Sequence, residues 1–145
     1  MGSVVMLRQV YAEKNDDLSD ESQGNQQEHV IVESALIYMA ENLAEPLTLA
    51  ELARRARMSR SAFCRLFQRC SGIPPMRWLW FCRVQSARDM IVESPDLSLT
   101  DVAFACGFSC SAHFSRCFKR TFGISPRAFR QALLLSRGDK SQRGN

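Results

Sequence analysis

LSLTDVAFACGFSCSAHFSRCFKRTFGISPRAFR, residues 97–130, is the stretch whose reading decides the fold. Displaced along the chain by fifty residues, it finds an echo in residues 47–78. Leu97, Leu99, Ala103, Ser109, Ser111 and Ala112 fall on Leu47, Leu49, Ala53, Ser59, Ser61 and Ala62. One further residue of offset sets Phe114, Arg116, Phe118, Arg120, Gly123, Ile124 and Pro126 on Phe63, Arg65, Phe67, Arg69, Gly72, Ile73 and Pro75. Two copies are too few for a solenoid, which needs at least about three repeats. A helical unit that occurs twice in a short chain presents two similar surfaces.

Each copy reads as two short helices. The first starts at Ser98, or Thr48 in the earlier copy, an N-cap residue type with an acid three positions later. Its apolar residues Leu99, Val102, Ala103 and Cys106 follow the helical period. Gly107 supplies a residue able to take positive φ where the chain turns. The second helix carries Phe114, Cys117, Phe118 and Thr121 on one side. At about 100° per residue its other side carries Ala112, Arg116 and Lys119, flanked by His113 and Arg120. Two short helices, a tight turn and a basic outer face on the second describe a helix-turn-helix. A single copy is equally an ordinary helical hairpin with a solvated charged face. Recurrence of the basic face at the same helical phase favours the helix-turn-helix.

In the earlier copy the second helix is expected over about residues 60–70, packing through Phe63, Leu66, Phe67 and Cys70. Counting back from the first phenylalanine keeps the phase, so Ser61 matches Ala112 and Arg65 matches Arg116. The extra residue of the later copy then belongs in its turn, near residues 109–111. Position 57 is Arg where the later copy has Gly107, which leads us to expect a different backbone geometry in the first turn.

The rest of the chain surrounds this pair. Val32, Ala35, Met39 and Leu43 recur three and four apart with Leu36 alongside, a helix over about residues 28–43 that Pro46 keeps from continuing. Pro74 and Pro75 open a long helix to about residue 93, stopped before Ser94 and Pro95. Trp78, Leu79, Val84, Ala87, Met90 and Ile91 suit contact with both copies, while Trp80 and Phe81 lie off that stripe and are expected to cap the core. Such a helix spans about 27 Å, a usable spacer for two sites one DNA turn of about 34 Å apart. A short final helix over residues 127–135 is followed by the polar tail SRGDKSQRGN.

The chain has 145 residues, 46% of them hydrophobic, enough for a core. It has no apolar run of about 18 residues to span a membrane and no signal-peptide pattern, so a cytoplasmic protein is expected. The net charge of +4 conceals an asymmetry. Residues 1–28 carry two basic against six acidic residues, leaving 17 basic against 9 acidic in residues 29–145. Most of these bases are arginine, suited to forked contacts with phosphates and guanine edges, although charge alone does not separate nucleic acid from an anionic membrane. The polar, acidic stretch before residue 28 has too little apolar content to offset the entropy of ordering. Six cysteines, at 64, 70, 82, 106, 110 and 117, match no recognised zinc spacing and read mainly as buried thiols, with Cys64 and Cys110 nearer the outer face. No metal or cofactor is expected. The two histidines, His29 and His113, have no apparent nucleophile partner, and no catalytic constellation supports an enzyme.

Residues 32–130 closely resemble the DNA-binding domain of the AraC/XylS family of bacterial transcription regulators. The likeness rests on PLTLAELA (46–53), MSRSAFCRLFQRCSGIPP (58–75), the WL…RV..A..MI pattern of the long helix and, above all, VAFACGFSCSAHFSRCFKRTFGISPRAFR (102–130). It implies an all-α fold with two homeodomain-like helix-turn-helix subdomains joined by a long linker helix. The organisation expected is a flexible N-terminal segment over 1–28, a DNA-binding domain over 29–135 and a polar tail over 136–145. Within that domain the first helix-turn-helix covers about 47–72, the linker about 75–93 and the second helix-turn-helix about 97–123.

The resemblance also implies that both second helices enter consecutive major grooves on one side of DNA. Its base-reading positions fall on Arg60, Ser61, Cys64 and Arg65, and on Ser111, Ala112, His113 and Arg116; Gln68, Lys119 and Arg120 are expected at phosphates. Ser61 and Ala112 are small for reading side chains, which shifts base recognition onto the two arginines, and His113 stands where an aromatic is common. The function implied is a sequence-specific transcription regulator, an activator that contacts promoter DNA and RNA polymerase and needs no dimer. Full-length members usually add an effector domain, so this chain is either a small stand-alone regulator or a piece without its sensor. The alternatives are a thiol-based redox-responsive regulator acting through Cys64 or Cys110, and a helical adaptor without DNA sequence preference.

Overall fold

The computed structural model describes residues 23–142, with side chains from 24–138. Among these the regular structure is entirely helical: α1 (Gln23–Glu41), α2 (Leu49–Arg55), α3 (Arg60–Ser71), α4 (Pro75–Glu93), α5 (Leu99–Ala105), α6 (Ser111–Phe122) and α7 (Pro126–Gln142). The all-α expectation holds, with two helix-turn-helix pairs, α2–α3 and α5–α6. Of the flexible segment expected over residues 1–28, residues 1–22 lie outside the described residues, and 23–28 belong to α1. The chain divides into two compact units, residues 1–82 and 83–145, whose boundary falls inside α4.

In the first unit the apolar spacing of α1 buries Val32, Leu36 and Met39. They pack with Leu47, Leu52 and Ala53, with Phe63, Leu66 and Phe67 of α3, and with Trp78, Leu79 and Cys82 of α4. Tyr38 ties α1 to α2: its hydroxyl donates to Glu51 Oε1 at 2.8 Å, and the Arg55 guanidinium lies 3.7 Å from its ring centre. Trp80 and Phe81 are half-buried.

The second unit buries Val84, Ala87, Ile91, Val102, Ala103, Cys106, Phe108, Phe114 and Phe118. Its centre is a chain of aromatic contacts, with ring centroids 5.2 Å apart for Phe108–Phe114, 5.8 Å for Phe114–Phe118 and 5.6 Å for Phe118–Phe129. Burying each such ring contributes about 1.5–3 kcal/mol relative to leaving it in water. Arg83 is the buried charged residue of this unit, and burial lowers its pKa.

Three details depart from the expectations. First, the turn after α2 uses the same geometry as its counterpart after α5. Arg57 takes φ +56° and Gly107 φ +90°. In both, the left-handed residue donates to the carbonyl three back (Arg57 to Arg54 at 3.0 Å, Gly107 to Phe104 at 3.1 Å). The next residue reaches five back (Met58 to Ala53 and Phe108 to Ala103, both 3.0 Å). This is the Schellman pattern, and closing it requires positive φ whether or not the residue is glycine. Second, α1 begins at Gln23, before residue 28. Third, α7 runs to Gln142 rather than ending near Leu135. Arg137 Nη2 donates to the Val92 carbonyl at 2.6 Å, near the C-terminal end of α4 where helix carbonyls lack partners of their own.

Candidate nucleic-acid interface

The second helix of each pair ends in a left-handed glycine, and the first of the two, α3, is also capped at its start. Ser59 caps α3, its hydroxyl accepting from the Ala62 N–H at 3.2 Å. Gly72, at φ 85°, ends α3 and donates to the Gln68 carbonyl at 2.8 Å; Gly123, at φ 82°, ends α6 with the matching bond to Lys119 at 2.8 Å. The first helices are capped alike, Thr48 accepting from Glu51 N–H at 3.2 Å and Ser98 from Asp101 N–H at 3.0 Å. Each of these second helices opens with an intrahelical bond from its first phenylalanine: Phe63 N–H to Ser59 O at 2.9 Å, and Phe114 N–H to Cys110 O at 3.1 Å.

Cys110 therefore stands where Ser59 stands, and Ser109 is the residue added in the later turn. The thiol forms no cap hydrogen bond, but the amide N–H groups of His113 and Ala112 lower its pKa below the ordinary thiol range. Burial pushes the thiols of Cys70, Cys106 and Cys117 the other way.

Burial splits each helix into two faces. Phe63, Leu66 and Phe67 of α3, and Phe114 and Phe118 of α6, turn inward. Arg60, Ser61, Arg65 and Gln68 are exposed, as are Ser111, Ala112, Arg116, Lys119 and Arg120. Cys64 and His113 are half-buried. The His113 ring meets Phe108 edge-on with centroids 5.7 Å apart, so part of this side chain serves packing.

Arg65, Arg116 and Lys119 enter no ion pair among the described residues. Arg69 differs: its Nη2 lies 2.6 Å from Glu28 Oε2, a bond that raises its pKa and turns it toward α1. That contact was not legible in the sequence because Glu28 lies 41 residues away. Among the described residues no group of three or more His, Cys, Asp or Glu could hold a metal ion, and no helix is long and apolar enough to cross a membrane.

Two helix pairs, each with an exposed basic face on a second helix closed by a left-handed glycine, define a duplicated helix-turn-helix protein. Residues 52–132 match a family described as "Helix-turn-helix domain". The chain is 39% identical over 97 residues to the HTH-type transcriptional regulator GbdR of Pseudomonas aeruginosa, covering 67% of this chain and 26% of that protein. It is 36% identical over 96 residues to the HTH-type transcriptional activator RhaS of Escherichia fergusonii, covering 66% of this chain and 34% of that one. It thus spans about a quarter to a third of these relatives.

Among solved structures it resembles the DNA-binding domain of AdpA, a global transcriptional factor, in complex with a target DNA. There the TM-score is 0.68 at 34% identity, covering 74% of this chain and 96% of that one. It also resembles a transcriptional regulator of the AraC-type DNA-binding-domain class from Chromobacterium violaceum, with TM-score 0.65 at 29% identity over 77% and 96% of the two chains. The chain belongs to the AraC-type helix-turn-helix DNA-binding family, which is not an enzyme family.

Proposed function

We propose that this chain is the sequence-specific DNA-binding part of a bacterial transcription regulator, with α3 and α6 each entering the major groove at adjacent segments of one duplex. The observation that carries the reading is the duplicated face: two helices of 12 residues, each ended by a left-handed glycine, buried along two phenylalanines and exposed along an arginine two residues beyond the first of them. Arg65 and Arg116 fork onto guanine edges, the commonest specific contact of this geometry. Arg60, Ser61 and Cys64 flank the first of these arginines, and Ser111, Ala112 and His113 the second. Gln68, Lys119 and Arg120 hold phosphates and fix the register.

The AdpA complex with its target DNA supports carrying the ligand class to this chain. That RhaS is an activator supports activation as the outcome, with RNA polymerase as a further partner. The two reading faces differ in sequence, so a monomer suffices for an asymmetric site. The protein works in the cytoplasm, on the nucleoid. The units over 29–135 act as the DNA-binding domain, with 1–28 and 136–145 as flanking segments.

The test is selection from random duplexes. A bipartite motif whose two blocks lie about 10 base pairs apart is the expected result. Absence of any enriched sequence would leave an adaptor without sequence preference as the better reading.

A second reading is favoured by Cys110, an exposed thiol of lowered pKa at the start of α6. In it, modification of that thiol weakens DNA binding, and alkylation of the full chain followed by a binding assay decides it.

A further inference from the structure

The first unit has a groove of about 530 Å³ along α1 and α2, away from α3. Ile31, Ala35, Leu52 and Ala56 form its apolar lining, and Val30 stands beside them 51% exposed. Arg55 and Arg57 lie on its polar side. Arg55 is stacked on Tyr38, and the backbone of Arg57 is set by the turn at φ +56°. Apolar surface lying open beside two cations suits an apolar segment followed by acids.

The chain itself contains one. Val4, Leu7, Val10 and Tyr11 recur three and four apart, and Glu13, Asp16, Asp17, Asp20 and Glu21 follow against a single Lys14. The reach is sufficient: the 12 residues from Tyr11 to Gln23 span up to about 40 Å extended, whereas the α1 wall of the groove, from Gln27 to Tyr38, is about 17 Å long.

We propose that residues 4–11 seat in the α1–α2 groove of the same chain, with the acids of residues 16–21 drawn to Arg55 and Arg57. The inference is independent of the DNA-binding reading, since it uses none of the residues of the recognition faces.

The experiment is methyl NMR on the full chain. Nuclear Overhauser contacts from the methyls of Val4, Leu7 or Val10 to those of Val30 and Ile31 are expected. In L7D these contacts are lost and the Val30, Ile31 and Ala35 resonances shift, while those of the buried Leu36 and Leu66 report an intact core. Absence of the contacts in the unsubstituted chain overturns the proposal, as do groove resonances that L7D leaves in place. Contacts seen only between differently labelled molecules, and lost on dilution, overturn it in favour of a second copy as the occupant.

Discussion

Truncating Arg116 to alanine separates base reading from simple charge attraction. The side chain is exposed and enters no ion pair among the described residues, so Arg116→Ala removes no packing and its effect falls on DNA. A forked arginine–guanine contact is worth about 1–3 kcal/mol of discrimination, or roughly a 5- to 150-fold loss of affinity for the selected site. Duplexes altered at the base pair it reads should lose far less, because the contact is already missing there. Arg65→Ala should behave in the same way at a different base pair.

Two neighbours serve as controls. With Lys119 at a phosphate, as proposed, Lys119→Ala should weaken all duplexes alike and flatten the slope of log K against log salt by about 0.9. Arg69 is engaged by Glu28, and Arg69→Ala should leave the pattern of base preference unchanged. Fluorescence anisotropy on the selected duplex and its single-position variants, at several salt concentrations, reads all four. If Arg116→Ala weakened every duplex equally and flattened the salt slope, Arg116 would be a phosphate contact and the base-reading assignment would be wrong.

The matched turns give a reciprocal pair: Arg57→Gly should raise stability by up to about 1 kcal/mol by relieving left-handed strain, and Gly107→Ala should lower it by about 1–2 kcal/mol, both read from urea midpoints at constant m-value. The caps give another: Ser59→Ala should cost about 1 kcal/mol, whereas Cys110→Ser should raise the midpoint by supplying the hydroxyl that this helix start lacks. For the thiols, the folded pKa of Cys110 lies below its unfolded value, so the folded state favours its thiolate. Its contribution to stability is present above the unfolded pKa and lost as pH falls through the folded one. Iodoacetamide at neutral pH, followed by peptide mass mapping, should modify Cys110 ahead of Cys70, Cys106 and Cys117, whose burial raises their pKa values; equal labelling would refute this.

The parts of this fold legible in the sequence are those written in local chemistry. Thr48 and Ser98 mark helix starts because a hydroxyl there satisfies a free amide, and the spacing of Phe114 and Phe118 sets which face of α6 turns inward. What stayed hidden depends on distant partners or on a residue tolerating an unfavourable conformation. Arg57 gives no local sign of positive φ. The turn imposes it because the Met58 N–H closes on the Ala53 carbonyl, which outweighs the preference of one side chain. The extension of α7 is likewise invisible in its Ser-, Gly- and Lys-containing sequence, since Arg137 is held by a carbonyl 45 residues away. In the candidate interface, the exposed arginines were readable from helical phase. The half-buried state of His113 and Cys64 was not, because the depth of a flank position depends on what packs beside it; for His113 that is Phe108.

The inserted Ser109 falls where it leaves the phase of α6 unchanged. An extra residue inside a helix would rotate everything after it by about 100° and carry the reading face away from the groove. Here the insertion falls between Phe108, which completes the turn, and Cys110, which starts α6. The interval from cap to first buried phenylalanine is therefore four residues in both units, Ser59 to Phe63 and Cys110 to Phe114. Arg65 and Arg116 accordingly keep the same phase on α3 and α6. The positions around them differ, with Arg60 against Ser111, Cys64 against Ser115 and Gln68 against Lys119. One backbone solution thus carries two different sets of side chains around the same arginine. Two identical units would favour a repeated half-site; these differ, which favours a site whose halves are unlike and whose order along the DNA matters.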